Sequence, residues 1–171
     1  FAIMGERLYT MGNSNLDVFN ISNVNDPVHT KTVNVAWSIE TLYPFKGKLF
    51  VGAQAGVYMY SVANPDNPVL LSQVIHPVNT SCIKDPVVAD DNYMYETRRT
   101  QTFCDGVINK LYIMSIANPA SPILLKTYEM KNPFGLSIDG DYLFVCDDGL
   151  KVYNASNVNN LQLLKQIKDM E

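Results

Sequence analysis

The sequence predicts an all-β protein, a β-propeller of four four-stranded antiparallel blades, and three observations carry that reading. The first is a recurring stretch. Residues 57–71, VYMYSVANPDNPVLL, run from aliphatic and aromatic strand residues through a small polar turn with Asn to Pro and then an apolar strand. The same pattern returns at 18–23 leading to Asp26-Pro27-Val28, at 113–118 leading to Ser121-Pro122-Ile123-Leu124-Leu125, and at 152–157 leading to Asn160-Leu161-Gln162-Leu163-Leu164. The second is the period. The anchor Asn falls at 23, 64, 118 and 157, in steps of 41, 54 and 39 residues, and a period near 40 with several short strands per unit is the mark of propeller blades. The third is composition: 10 Tyr and 7 Phe, with no Ala-Glu-Lys-Leu helical runs, favour strands. The whole chain reads as one propeller segment with blades at about 1–35, 36–77, 78–130 and 131–171.

The second repeat shows the elements in order. Strand a covers 38–45 and ends at the turn Lys46-Gly47-Lys48; strand b covers 49–52. A Gly-containing turn at 53–56 leads to strand c at 57–63. Asn64-Pro65-Asp66-Asn67-Pro68 turns the chain into strand d at 69–75, with Pro presetting φ and Asn or Asp tolerating tight backbone. The a–b turn recurs as Gly5-Glu6, Asp90-Asp91-Asn92 and Asp139-Gly140-Asp141, each a hairpin signal between apolar strands. The frame opens on a strand-a remnant at 1–4 and closes on a strand d at 161–167, leaving no strand to close a ring by exchange between the termini. Four blades is the low end for a closed propeller. The expectation is four consecutive blades of a larger ring.

Bulk properties exclude several classes. At 171 residues, 47% hydrophobic and 18% charged, the composition is that of a folded globular protein rather than a disordered tail or coiled coil. A net charge of −4 and a pI of about 5.1 give no electrostatic draw toward nucleic acid. No apolar run approaches the ~18 residues that span a bilayer. There is no initiator Met and no secretory n- and h-region, so Phe1 reads as an internal residue with any targeting segment upstream.

The third repeat departs from the others. From the start of strand b to the aromatic residue or Met of strand c the count is 11 (Leu8 to Phe19), 11 (Leu49 to Tyr60), 20 (Met94 to Met114) and 10 (Leu143 to Tyr153). Its b–c loop therefore carries about nine extra residues, expected at 98–109. In propellers the b–c loops and d–a connections share the face around the channel mouth, and loops on a rigid scaffold are where function concentrates. Cys82 lies in the d–a connection entering this blade and Cys104 in the enlarged loop. Both map to one face of one blade, so either a disulfide pins the loop or the two are free thiols. Cys146, after Leu143-Phe144-Val145, reads as a small buried apolar residue.

Other chemistry is sparse. His29 and His76 sit in different repeats with no ligand spacing, so no metal is expected. Asp147-Asp148-Gly149 in the fourth b–c loop reads first as a turn or solvated face, and otherwise as a calcium or ligand contact or a catalytic pair. Arg98 and Arg99, with Gln101, Phe103, Trp37 and Phe134, form a cationic–aromatic patch suited to carboxylates, peptides or sugars. The competing reading pairs Arg98 with Asp85 or Asp105 to fix the loop. No G-x-S-x-G, phosphate-cradling Gly loop or H-E-x-x-H occurs.

The strand–turn core of each repeat resembles the LVIVD repeat of bacterial and archaeal surface propellers. The run from Cys82 through Pro86, Tyr93, Arg98-Arg99 to Cys104, then Tyr128, Asn132-Pro133-Phe134-Gly135, and Phe144-Val145-Cys146-Asp147 to Gly149-Leu150-Lys151-Val152-Tyr153, is similar to its Bacteroidota branch. Glu96 departs from it, standing where the branch has an apolar strand residue. The resemblance implies a lipid anchor upstream of Phe1, a position on the outer-membrane surface, and the company of a TonB-dependent transporter with its SusD-like lipoprotein. It implies no catalytic residues and no cofactor. The expected function is a non-catalytic surface propeller, an accessory subunit of a nutrient (peptide or glycan) uptake complex, with Trp37, Arg98, Arg99, Phe103, Asp147 and Asp148 as contacts. The alternatives are a surface enzyme cleaving glycans or peptides with channel-mouth carboxylates, and a structural spacer.

Overall fold

A computed structural model describes residues 1–76, 83–84, 86–100 and 108–168. Cys82, Cys104 and Phe103, and with them the choice between disulfide and free thiols, lie outside the described residues, as do Asp85 and Asp105. Among the described residues every regular element is a β-strand, and no helix is long and apolar enough to cross a membrane. The chain forms two compact units, Phe1–Val78 and Asn79–Glu171.

The first unit holds two antiparallel sheets. One runs in the order β1 (Ala2–Met4), β2 (Arg7–Met11), β3 (Asn15–Asn20), β4 (Val28–Asn34). The next runs β5 (Ile39–Phe45), β6 (Lys48–Ala53), β7 (Gly56–Ser61), β8 (Val69–Ile75). Tyr9, Leu16 and Val18 of the first sheet and Leu49, Val51 and Tyr60 of the second belong to one buried apolar cluster. Two polar contacts add to it: the Tyr9 hydroxyl donates to the Pro65 carbonyl at 2.9 Å, and the Arg7 guanidinium grips Asp66 at 2.6 and 2.8 Å.

The second unit repeats the plan. Its third sheet runs β10 (Val87–Ala89), β11 (Tyr93–Thr100), β12 (Asn109–Ser115), β13 (Ile123–Glu129), with the two-residue β9 (Ile83–Lys84) also paired to β11. Its fourth runs β14 (Pro133–Asp139), β15 (Tyr142–Asp147), β16 (Leu150–Asn154), β17 (Gln162–Ile167). The Tyr128 hydroxyl joins them, donating to the Val158 carbonyl at 2.8 Å and accepting from Leu161 N–H at 3.0 Å.

The recurring Asn does the same work four times. The side-chain oxygens of Asn23, Asn64, Asn118 and Asn157 accept the N–H two residues on at 3.1–3.2 Å, an Asx turn. Their carbonyls accept the N–H three residues on at 2.9–3.1 Å. Three positions earlier, Asn20, Ser61, Ser115 and Asn154 cap the N–H of Ser22, Ala63, Ala117 and Ser156. Pro is secondary, since the fourth turn closes with Leu161 in its place.

Each turn opens into a bulged edge strand. The register between strands c and d slips once in every sheet, leaving Thr30, Leu71, Leu125 and Leu164 opposite no partner. All four stand seven residues after the anchor Asn. A bulge strengthens twist and spoils an exposed edge as a template for another strand. Two b–c turns demand glycine. A Cβ on Gly56 (φ 139°) would lie 1.9 Å from the Val74 carbonyl oxygen, and one on Gly149 (φ 97°) 2.1 Å from that of Ile167.

Candidate functional site

The insertion in the third repeat is narrower than the spacing suggested. Strand β11 does not stop before Arg98 but runs to Thr100, with Thr97, Arg98 and Arg99 opposite Leu111, Lys110 and Asn109. Arg98 and Arg99 are therefore strand residues, not loop residues. Strand alternation sends them to opposite faces. Arg98 is 1% exposed and shares its face with Glu96, 0% exposed, the two heads 3.9 Å apart. Glu96 sets an opposite charge beside Arg98 in the interior, while the expected pairing of Arg98 with Asp85 or Asp105 lies outside the described residues. The signal was available: an i, i+2 pair of opposite charges on one strand shares a face.

The other face of β11 meets the fourth sheet. Thr97 Oγ1 donates to the Phe134 carbonyl at 2.7 Å. The Arg99 guanidinium carbon sits 3.9 Å from the centroid of the Phe134 ring, a close cation–π contact. Phe134 stays 48% exposed, so the ring is held on one side and open on the other. Among the described residues of the second unit, Arg99 and Phe134 are the members of the cationic–aromatic patch that meet; Gln101 and Phe103 lie outside the described residues. Trp37 is 68% exposed in the connection between β4 and β5 of the first unit.

Asp147 closes β15 and is an internal carboxylate, not a surface contact; its side chain is 0% exposed. Its Oδ1 accepts from Lys131 N–H at 2.9 Å and Asn132 N–H at 2.5 Å, and its Oδ2 accepts from Lys151 Nζ at 2.6 Å. Burial pushes this carboxyl up, but the Asn132 amide, the Lys151 ammonium and the Lys131 amide outweigh it, so it stays below the usual carboxylate range. Both backbone donors lie at the entry to β14, so Asp147 positions the strand that carries Phe134. A further bond from Asn109 Nδ2 to the Lys131 carbonyl, 2.9 Å, fixes the same entry.

Asp148, by contrast, faces outward in the turn (φ 55°) and pairs with Lys131 at 2.8 Å, which together with Lys168 and Lys151 holds its carboxyl low. A cleft of about 310 Å³ opens here, lined by Asn132, Phe134, Cys146, Asp148, Gly149 and Lys168. Cys146 is half-buried rather than buried, because its side of the fourth sheet is partly open. Lys131, Asn132 and Lys168 were not among the contacts expected from the sequence, since their placement follows from how β14 begins and β17 ends. Among the described residues no group of three or more His, Cys, Asp or Glu could hold a metal ion.

No family model matches the chain, and no curated protein does. Solved structures do. A protein from Lactobacillus plantarum superposes with a TM-score of 0.74 at 14% identity, over 96% of this chain and 53% of its own. The periplasmic gluconolactonase of Pseudomonas aeruginosa gives 0.73 at 11% identity, over 96% and 51%. The chain has a β-propeller fold. A weaker likeness, TM-score 0.52 at 11% identity over 94% and 60%, links it to Hsv2p of Kluyveromyces lactis. At these identities the likeness is one of fold alone, and this propeller chain spans about half the length of the first two structures. Its four sheets are the four blades anticipated from the repeat.

Proposed function

We propose that this propeller is a non-catalytic binding subunit, anchored at the cell surface beside a TonB-dependent transporter and its SusD-like lipoprotein, and that it holds a peptide or glycan during uptake. The observation that carries the reading is the Phe134 ring, stacked against Arg99 and clamped through its backbone by Thr97, yet 48% exposed beside a cleft. A rigid aromatic platform with a charged rim fits the apolar faces of sugars and aromatic peptide side chains while orienting their polar groups. The surface location and the uptake partners rest on the resemblance of the repeats. Asp147 is spent on three internal donors, which weighs against the hydrolytic alternative built on Asp147 and Asp148.

The test is calorimetric titration with defined peptide and glycan pools, joined to co-purification from native membranes. Wild-type protein is expected to bind a member of one pool, and Phe134→Ala to weaken that binding about tenfold, the loss typical of one aromatic anchor. The transporter and its lipoprotein are expected among the co-purified proteins. Unchanged affinity in Phe134→Ala removes the platform, and product release from either pool restores the enzyme reading.

A further inference from the structure

The connection between β4 and β5 leaves its largest side chain outside. Val35 and Ala36 pack against the first unit's apolar cluster and Ile39 is buried within it, whereas Trp37 is 68% exposed. Aromatic side chains dominate the energetics of cores and interfaces, so a segment that buries valine, alanine and isoleucine while exposing tryptophan is not using its indole for the fold. Trp37 lies between two sheets that pack on each other, so its exposure does not come from a sheet face lacking a neighbour.

The backbone under the indole is fixed on both sides. Val35 N–H donates to the Ser14 carbonyl at 3.0 Å and Ile39 N–H to that of Asn13 at 3.2 Å, tying the connection to the turn between β2 and β3. The Ser38 carbonyl accepts from Gln54 N–H at 3.1 Å, tying it to the turn between β6 and β7. Ser38 itself sits at φ 58°, a region that strains a non-glycine residue and that persists at ligand-binding sites.

The three segments so joined are uncharged. Residues 11–16, 33–39 and 53–57 hold no Asp, Glu, Lys or Arg, in a chain that is 18% charged. They offer instead the amides of Asn13 and Gln54 and the hydroxyls of Ser14 and Ser38, groups that both donate and accept. Glu40 in β5 and His76, whose N–H bonds the Ala55 carbonyl at 3.0 Å, stand at the border. The b–c turn of the fourth sheet has the opposite character, with Asp148 paired to Lys131 and Asp147 to Lys151.

We propose that Trp37 marks a second binding site, for a neutral glycan, whose sugar ring stacks on the indole while its hydroxyls bond the amides and hydroxyls of the adjoining turns. One face of a pyranose is a row of C–H groups that a flat aromatic surface accepts. Its hydroxyls donate and accept, as these turns do. It brings no charge, whereas a charged ligand would find no counter-charge on these segments. The inference deepens the reading of a binding subunit by naming one class of cargo and rests on that reading for its role alone; it does not depend on the Phe134 platform.

Trp37 is the single tryptophan of the 171 residues, so tryptophan fluorescence reports this site directly. The probes are maltohexaose, cellohexaose, xylohexaose and mannohexaose, against hexagalacturonate and a tryptophan-free peptide pool. At about 1 mM, enough to fill half or more of any site of millimolar or lower dissociation constant, at least one neutral hexamer is expected to cut acrylamide quenching by about half. The charged hexamer and the peptides leave it unchanged. In calorimetry with that neutral hexamer, Trp37→Ala weakens binding about tenfold or more and Trp37→Phe, which keeps a ring, weakens it less. Thermal unfolding confirms that both variants are folded. Phe134→Ala, which tests the other platform with its own ligand, leaves this affinity unchanged, so the two readings fail separately. Quenching untouched by every neutral hexamer overturns the proposal. Equal protection by the charged hexamer or the peptides does so too, as does full affinity in folded Trp37→Ala or lost affinity in Phe134→Ala.

Discussion

Gly149 and Asp147 stand two residues apart and constrain the same corner in different ways. Gly149 sits at φ 97° with the Ile167 carbonyl in the space a Cβ would need. Gly149→Ala therefore strains the backbone and pushes β17 away, and is expected to lower stability by about 1–3 kcal/mol in thermal unfolding. Asp147 works through charge. Its carboxyl is held below the ordinary value, so the folded form releases the proton more readily than the unfolded one. The stability it adds is present above the unfolded pKa, about 3.9, and is lost as pH falls through the lower folded value. Asp147→Asn turns an amide donor toward the Lys151 ammonium and should cost about 2–3 kcal/mol at pH 7. Urea melts at pH 7 and pH 3 check this: the gap between wild type and variant is expected to shrink at pH 3, and a constant gap would assign the cost to packing instead.

The strands and their turns were legible in the sequence because the forces that make them are local. An Asn that caps its own turn, a Gly that permits positive φ and an alternation of apolar residues all act within a few positions, so the hairpin ends and the four-strand repeat could be read directly. What failed to show was set by residues distant in sequence. Asp147 reads as a turn residue until the amides of Lys131 and Asn132 reach it, and Phe134 reads as one member of a loose patch until Thr97 and Arg99 meet it. The bulge seven residues after each Asn was also hidden, because an extra strand residue leaves no compositional trace. It makes a prediction of its own. Deleting Leu125 removes the slip between Ile113 and Met114, so Leu124 and Lys126 keep their partners on a regular, less twisted edge strand that is a better template for another strand. The variant is expected to aggregate at concentrations where wild type stays clear in light scattering, and equal solubility would show that the bulge is incidental to edge protection.

At the scale of the molecule, adjoining sheets are held by more than apolar contact, and a tyrosine hydroxyl makes the link in both units. Tyr9 reaches the c–d turn of the second sheet through one bond, and Tyr128 reaches that of the fourth through two, as donor to Val158 and acceptor from Leu161. These turns are the ones the repeated Asn builds, so the element that defines the repeat is also where neighbouring sheets are tied. Tyr128→Phe leaves the Val158 carbonyl and the Leu161 amide without that partner and should cost about 1–3 kcal/mol. Tyr9→Phe loses one bond and should cost less. The two sites share no hydrogen-bond partner, so the double variant is expected to lose the sum of the single effects to within about 0.5 kcal/mol. Hydrogen exchange locates the effect: in Tyr128→Phe the Leu161 amide should exchange faster while the Asn67 amide, bonded to the Asn64 carbonyl in the first unit, keeps its rate. Acceleration at both amides would mean that the tyrosine ties the whole chain together rather than one pair of sheets.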